Sequence, residues 1–319
     1  MMRLINYAIL LSLGFVLEVS AYPKPGNVHR LKDFIDTRFE DFLIAGVSAV
    51  SHLYKGVVRG FRYFKNPMSR NTVGDIIYGI VKSSVDLSGG GNTSLGSALL
   101  IAPLSLSIGF LKGMGKLKPD IYLITNTAKS FIEKHSTVYD SIMLYKAVRY
   151  VSPSYIKKHK PVNTVYPDIW SPSYRKEIIE GGYRLWDILA YSSRYDMVAK
   201  EVVEGYIKSI ELVNHLDNRL KNHRDWNRAI VETYLYLLSN ELDTLIIRKH
   251  SVDIARYVME KAKELYRLCV ENWDICLKDL KIFDYELNKE NINPGSTADI
   301  VASSISLYAL YKEKKIIRV

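Results

Sequence analysis

Cysteine is scarce: Cys269 and Cys276 are the only two in 319 residues. Their spacing supplies neither a zinc site nor a disulfide framework, so a pair of buried free thiols in a helical stretch is expected. Alternating apolar and polar runs of strand length are almost absent, which makes the fold class all-α. No period recurs, so a repeat array is excluded. No Gly-Lys-Ser/Thr follows the glycines at 89–91, so there is no Walker A loop. No nucleic-acid reading module is recognisable. The clean apolar run at the start falls short of the roughly 20 residues that a spanning helix needs. Neither nucleic acid nor a membrane is therefore expected as a partner.

What is present suits a large soluble core. With 48% apolar and 24% charged residues, the chain reads as a single large multi-helix globular domain over residues 1–319, cytoplasmic. The net charge of +10 comes from 44 Lys+Arg against 34 Asp+Glu. That excess suits a polyanionic ligand, although it is spread along the chain rather than gathered in a tail. Arg3, an apolar run from Leu4 to Val19 and then Ser20-Ala21 imitate a secretory signal. Glu18 inside that run, and Pro23-Lys24-Pro25-Gly26 directly after it, favour a core helix over 4–21 that enters a site. The oligomeric state is left open, a homodimer included.

The chain is organised around residues 86–108. Gly89, Gly90 and Gly91 allow backbone angles closed to other residues and let a ligand approach the main chain. Asn92 or Thr93 can cap the apolar helix that begins at Leu95. A helix start offers free N–H groups and a positive dipole end, which favour phosphate. A tight turn into a core helix would use the same residues for packing alone.

Other segments share this character. The loop from Pro23 to Arg30 is stiffened by two prolines and carries Lys24, Asn27, His29 and Arg30. Asp33, Asp36, Glu40 and Asp41 follow within nine residues. A capping box of Thr37 with Glu40 accounts for some of these acids, and the surplus suits a hydrated Mg²⁺. Helices are expected over 40–64, 73–85, 121–134, 139–150, 184–216, 226–240, 251–270 and 272–281. Four prolines between Val151 and Pro172 mark an irregular loop or lid. Asp243 stands at a helix start with Arg248 and Lys249 just over a turn beyond, and it can be a simple cap. Asn293-Pro294-Gly295-Ser296 opens the last apolar helix, on which Asp299 is a buried acid in need of a partner.

In their order and spacing these segments together resemble one family. It is the triphosphoribosyl-dephospho-CoA synthases associated with citrate lyase and malonate decarboxylase, with their archaeal and bacterial relatives. The resemblance is carried by Glu18-Val19 with Pro23 to Gly26, Gly91-Asn92-Thr93 with Gly96, Asp196 to Glu201, Asp243 to Lys249, and Asn293 to Gly295 with Asp299. It implies an all-helical fold and an enzyme that joins the ribose triphosphate of ATP to a hydroxyl of dephospho-CoA, releasing adenine. It further implies Glu18, Asp243 and Asp299 as catalytic carboxylates, and Asp36, Glu40 and Asp41 as ligands of Mg²⁺. Lys24, Gly26, Asn27, Arg30, Gly90 to Thr93, Arg248, Lys249, Asn293, Gly295 and Ser296 would hold substrate and phosphate. The citrate-lyase members have Thr-His-Lys-Gly where this chain has Thr93-Ser94-Leu95-Gly96. That difference bears on the acceptor more than on the class of reaction.

Overall fold

Helix α4, Leu95–Gly113, is apolar on every side, and the fold is arranged to cover it. The computed structural model describes residues 2–34, 36–68, 71–115, 120–152 and 165–312. Among them are fifteen α-helices and no strand, in one domain. α1 (Leu4–Ser20), α2 (Phe39–Lys65), α3 (Gly74–Ser88), α5 (Ile121–His135) and α15 (Gly295–Lys312) all pack on α4. By length and composition α4 is the one described helix that could cross a membrane, and it lies mostly buried inside the protein.

Two close seams fix this centre. Gly56 and Gly60 of α2 lie against Ser105 and Leu106 of α4, and Gly109 of α4 lies against the Val57 carbonyl. A Cβ at Gly60 or Gly109 would run into the opposing backbone. α15 is at least as buried as α4 and uses small polar residues to approach α1, with Ser306 Oγ donating to Leu11 O at 2.6 Å.

Amphipathic helices form the outer layer. α10 (Ile207–His223) and α11 (Trp226–Asn240) pack on α15. α13 (Val252–Glu271) packs on α11, and α14 (Trp273–Lys289) packs on α13. α6 (Val138–Val151), α8 (Leu185–Ser192), α9 (Met197–Glu204) and α12 (Thr244–Lys249) gather where α4 and α15 begin, with α7 (Tyr174–Gly181) beside α6.

Several local expectations are corrected. The helical stretch 184–216 divides into three helices, because Asp196 caps a new start and Gly205, at φ 86°, closes α9 in the left-handed region. α7 carried no signal that set it apart from its loop. At the start of α2 Asp41 takes the capping part, the Arg38 N–H donating to Asp41 Oδ2 at 2.8 Å, and Thr37 and Glu40 are not used. Of the three glycines only Gly89, at φ 70°, needs the left-handed region; it closes α3. Cys269 and Cys276 are not free thiols but a disulfide between α13 and α14. Asn272 ends one helix and caps the next, and that corner swings the two sulfurs together. Residues 153–164 of the expected lid lie outside the described residues.

Gly60→Ala and Gly109→Ala are each expected to destabilise the protein by about 1–3 kcal/mol, because the seam has no side chain that can give way. Urea unfolding checks this, with the midpoint falling at constant slope.

Candidate active site

Four helix beginnings are tied to one another by three aspartates. Asp196 caps its own helix α9, Oδ1 accepting the Val198 and Ala199 N–H groups at 2.8 and 2.9 Å. Its other oxygen pairs with Arg248 of α12. Asp243 caps α12 through the Leu245 and Ile246 N–H groups. With Oδ2 it accepts the Thr297 N–H at 2.7 Å and the Thr297 hydroxyl at 2.8 Å, so it binds α15 to α12. Thr244 Oγ1 accepts the Met197 N–H at 3.2 Å and lies 3.3 Å from Ser296 Oγ, which joins α9 to the same knot.

Asp299, in the second turn of α15, completes the set by capping α4 from outside. It accepts the Ser97 hydroxyl at 2.6 Å. A Cβ at residue 96 would occupy the place of the carboxylate, so glycine is required there. Burial pushes the Asp299 pKa up to about 7, the Ser97 hydrogen bonds opposing and the charges of Glu18 and Asp196 adding to the rise.

These beginnings surround a cavity of about 1000 Å³. Glu18, Asn27, Asp36, Gly91, Asn92, Thr93, Arg248, Lys249, Asn293, Gly295, Ser296 and Asp299 all line it. Burial lowers the Lys249 pKa, while Asp36 and Asp243 act in the opposite direction. Glu18 is buried at the wall against Lys24, which has no exposed surface. Burial drives Glu18 up and Lys24 down, each toward its neutral form, and their mutual attraction opposes both shifts.

Other expected site residues stand elsewhere. Lys24 lies behind Glu18, 6.0 Å from the Tyr234 ring centre, and does not reach the cavity. Gly26 is held by Asp284, and Arg30 donates to Asn227 at 2.7 Å on the surface. Gly90 is glycine because the Asp41 carboxylate fills the place of its Cβ. Asp243 is spent on its four hydrogen bonds and does not line the cavity. The expected metal ligands do not converge. Glu40 is exposed, Asp41 caps α2, and only Asp36 reaches the cavity. Among the described residues no group of three His, Cys, Asp or Glu side chains is placed to hold a metal ion.

The sequence reading missed one whole wall. Tyr145, Tyr166, Tyr191 and Tyr195 also line the cavity, as do Ile169 and Ile188. Tyr166 meets Tyr191 edge-on with ring centres 5.1 Å apart. The abundance of tyrosine, 23 residues, was the only trace of that wall in the sequence.

An all-helical frame whose helix starts, cations and raised carboxylates share one large cavity is that of a nucleotide-using transferase. The chain belongs to the CitG family, ATP:dephospho-CoA triphosphoribosyl transferase, whose model matches residues 5–317. The crystal structure of a proposed triphosphoribosyl-dephospho-CoA synthase from Archaeoglobus fulgidus shares the fold, with a TM-score of 0.59 and 22% identity. The match covers 83% of this chain and 97% of that one. No curated protein matches the sequence at a significant level.

Two measurements check the electrostatics. The Asp299 pKa is about 7 in the fold and about 3.9 in an unfolded chain. Between those values the folded state binds the extra proton, so stability must fall as pH rises through that window and level off above it. Unfolding titrations should show a loss on the order of 2–4 kcal/mol that Asp299→Asn abolishes. Asp243→Ala strands four donors and is expected to cost about 2–5 kcal/mol, read as a fall in Tm.

Proposed function

We propose that this cavity carries out the family reaction on ATP and dephospho-CoA, with Asp299 as the general base. The acceptor hydroxyl oxygen bonds to C1′ of the ATP ribose. The C1′–N9 bond breaks, its electron pair leaves with adenine, which takes up a proton, and the hydroxyl proton passes to Asp299. Such a centre passes through a cation-like sugar, as in glycoside hydrolysis, and a positioned carboxylate speeds it by about 10²–10⁴-fold.

The observation that carries this reading is the company Asp299 keeps. Its raised carboxylate opens into a cavity that also holds Arg248, Lys249 and the beginnings of α4 and α15. Cations and helix N-termini are the groups that grip a polyphosphate. A site near neutrality is what a base working at physiological pH needs. Arg248 is steadied by Asp196 for this purpose. The tyrosine wall offers flat faces to the purines that both substrates carry.

Mg²⁺ fits as a companion of the triphosphate rather than as a resident of the protein. One or two carboxylates suffice for a hydrated Mg²⁺ that also touches phosphate, and Asp36 is available at the cavity beside Lys249. When bound there, Mg²⁺ would neutralise charge on the phosphates. A reaction that consumes ATP and dephospho-CoA belongs in the cytoplasm, where both are held.

Incubation with ATP, Mg²⁺ and dephospho-CoA should release adenine in equal amount to the triphosphoribosyl product, read by chromatography. kcat/KM should rise with pH through about 7, the Asp299 value. Asp299→Asn should lower kcat by about 10²-fold or more. Adenine release that ignores dephospho-CoA would assign another acceptor, and no release with any acceptor would sink the transfer reading.

A further inference from the structure

The cap of α4 leaves one polar atom over. Ser94 stands at the N-cap of that helix, where a serine ordinarily turns its oxygen to the N–H of the second or third helical residue. It makes no such bond, while the third residue, Ser97, is engaged by Asp299 through its hydroxyl. The neighbouring side chains are occupied. Asn92 Oδ1 accepts the Leu95 N–H at 3.1 Å, and Thr93 Oγ1 pairs with Ser84 Oγ at 2.7 Å. Ser94 Oγ has no partner in the structure, although the residue is only 2% exposed. The residue lines the cavity.

A buried hydroxyl without a partner is costly, and such groups are rare unless something absent from the free protein completes them. The completing group has to be an acceptor that enters the cavity and tolerates the positive end of a nineteen-residue helix. A phosphate oxygen meets both conditions. Ser94 precedes Ser97, the Asp299 partner, by three residues, so it stands about one helical turn, roughly 5 Å, from that serine. The phosphate nearest to the transferred sugar is the one attached to its own C5′ oxygen.

We propose that Ser94 Oγ is a substrate-binding group that donates to the sugar-proximal phosphate of the bound nucleotide, and that Asp299 frees it for this by taking over the cap. This rests on the reading of the cavity as the ATP site. The hydroxyl proton is shared and not transferred, so the step is one of binding only.

The test uses the full chain and compares Ser94→Ala with the unaltered protein in equilibrium binding of ATP, AMP and adenosine. Ser94→Ala should weaken ATP and AMP by about tenfold each and leave adenosine within about twofold. Its unliganded Tm should stay the same or rise, since no bond is lost. Ser94→Gly, which also lacks the oxygen, should repeat the pattern. Unchanged ATP affinity in both variants overturns the proposal, as does an equal loss for adenosine or a lowered unliganded Tm with no phosphate dependence. A protein that shows the Ser94 pattern yet releases no adenine overturns the transfer reading alone. A protein that binds neither ATP nor AMP overturns both.

Discussion

The placement of a carboxylate from one helix against the first turn of another is the contact on which this site depends. Asp299 reaches across from α15 to the start of α4, and everything near it follows from that reach. Residue 96 has no side chain because the carboxylate needs its place. Ser97 turns its hydroxyl inward to meet the acid, and Ser94 is relieved of the cap. The same contact takes much of the acid out of water and sets it near Glu18 and Asp196, which together lift its pKa. Structure and chemistry therefore meet in one interaction: the bond that docks α15 on α4 also sets the proton affinity of the acid proposed as the base.

The other aspartates work as joints. Asp196 and Asp243 each cap a helix and then use their remaining oxygen to hold a second one. A helix start has unsatisfied donors that must be met, and meeting them from neighbouring helices fixes the angle between the elements. This is why the cavity can be lined by short helices whose own propensity is weak. It also explains why acids that look alike in sequence differ in use. Asp243 has four bonds to make and none to spare, whereas Asp299 keeps one side open to the cavity.

The fold was legible from periodicity because the helices with no polar face, α4 and α15, leave long apolar runs that only a helix core explains. Helix starts were legible for the same reason that they are useful: Gly91-Asn92-Thr93, Asp243 and Asn293 to Ser296 are capping sequences, whereas the start at Asp196 was not separated from its surroundings. What could not be read is which acid faces which partner. Gly90 looked like part of a cradle and is shaped by Asp41, a contact over 49 positions. Lys24 looked like a phosphate cation and is sealed behind Glu18. The tyrosine wall is assembled from α6, α8 and the segments after them, so no local pattern announces it. The helix break before Asn272 was legible, but not that the corner there would turn the two cysteines together.

The shortest of the helices has its own lesson. α12 spans six residues, Thr244–Lys249, a length at which an isolated helix melts in water. Arg248 and Lys249 ride on it, and what keeps it wound is the Asp243 carboxylate shared with α15. That segment cannot fray while its anchor stays buried, and amide exchange along it should proceed only when the C-terminal helix lets go. The two cations therefore keep their positions for as long as the deepest part of the molecule stays folded, and lose them in the same event.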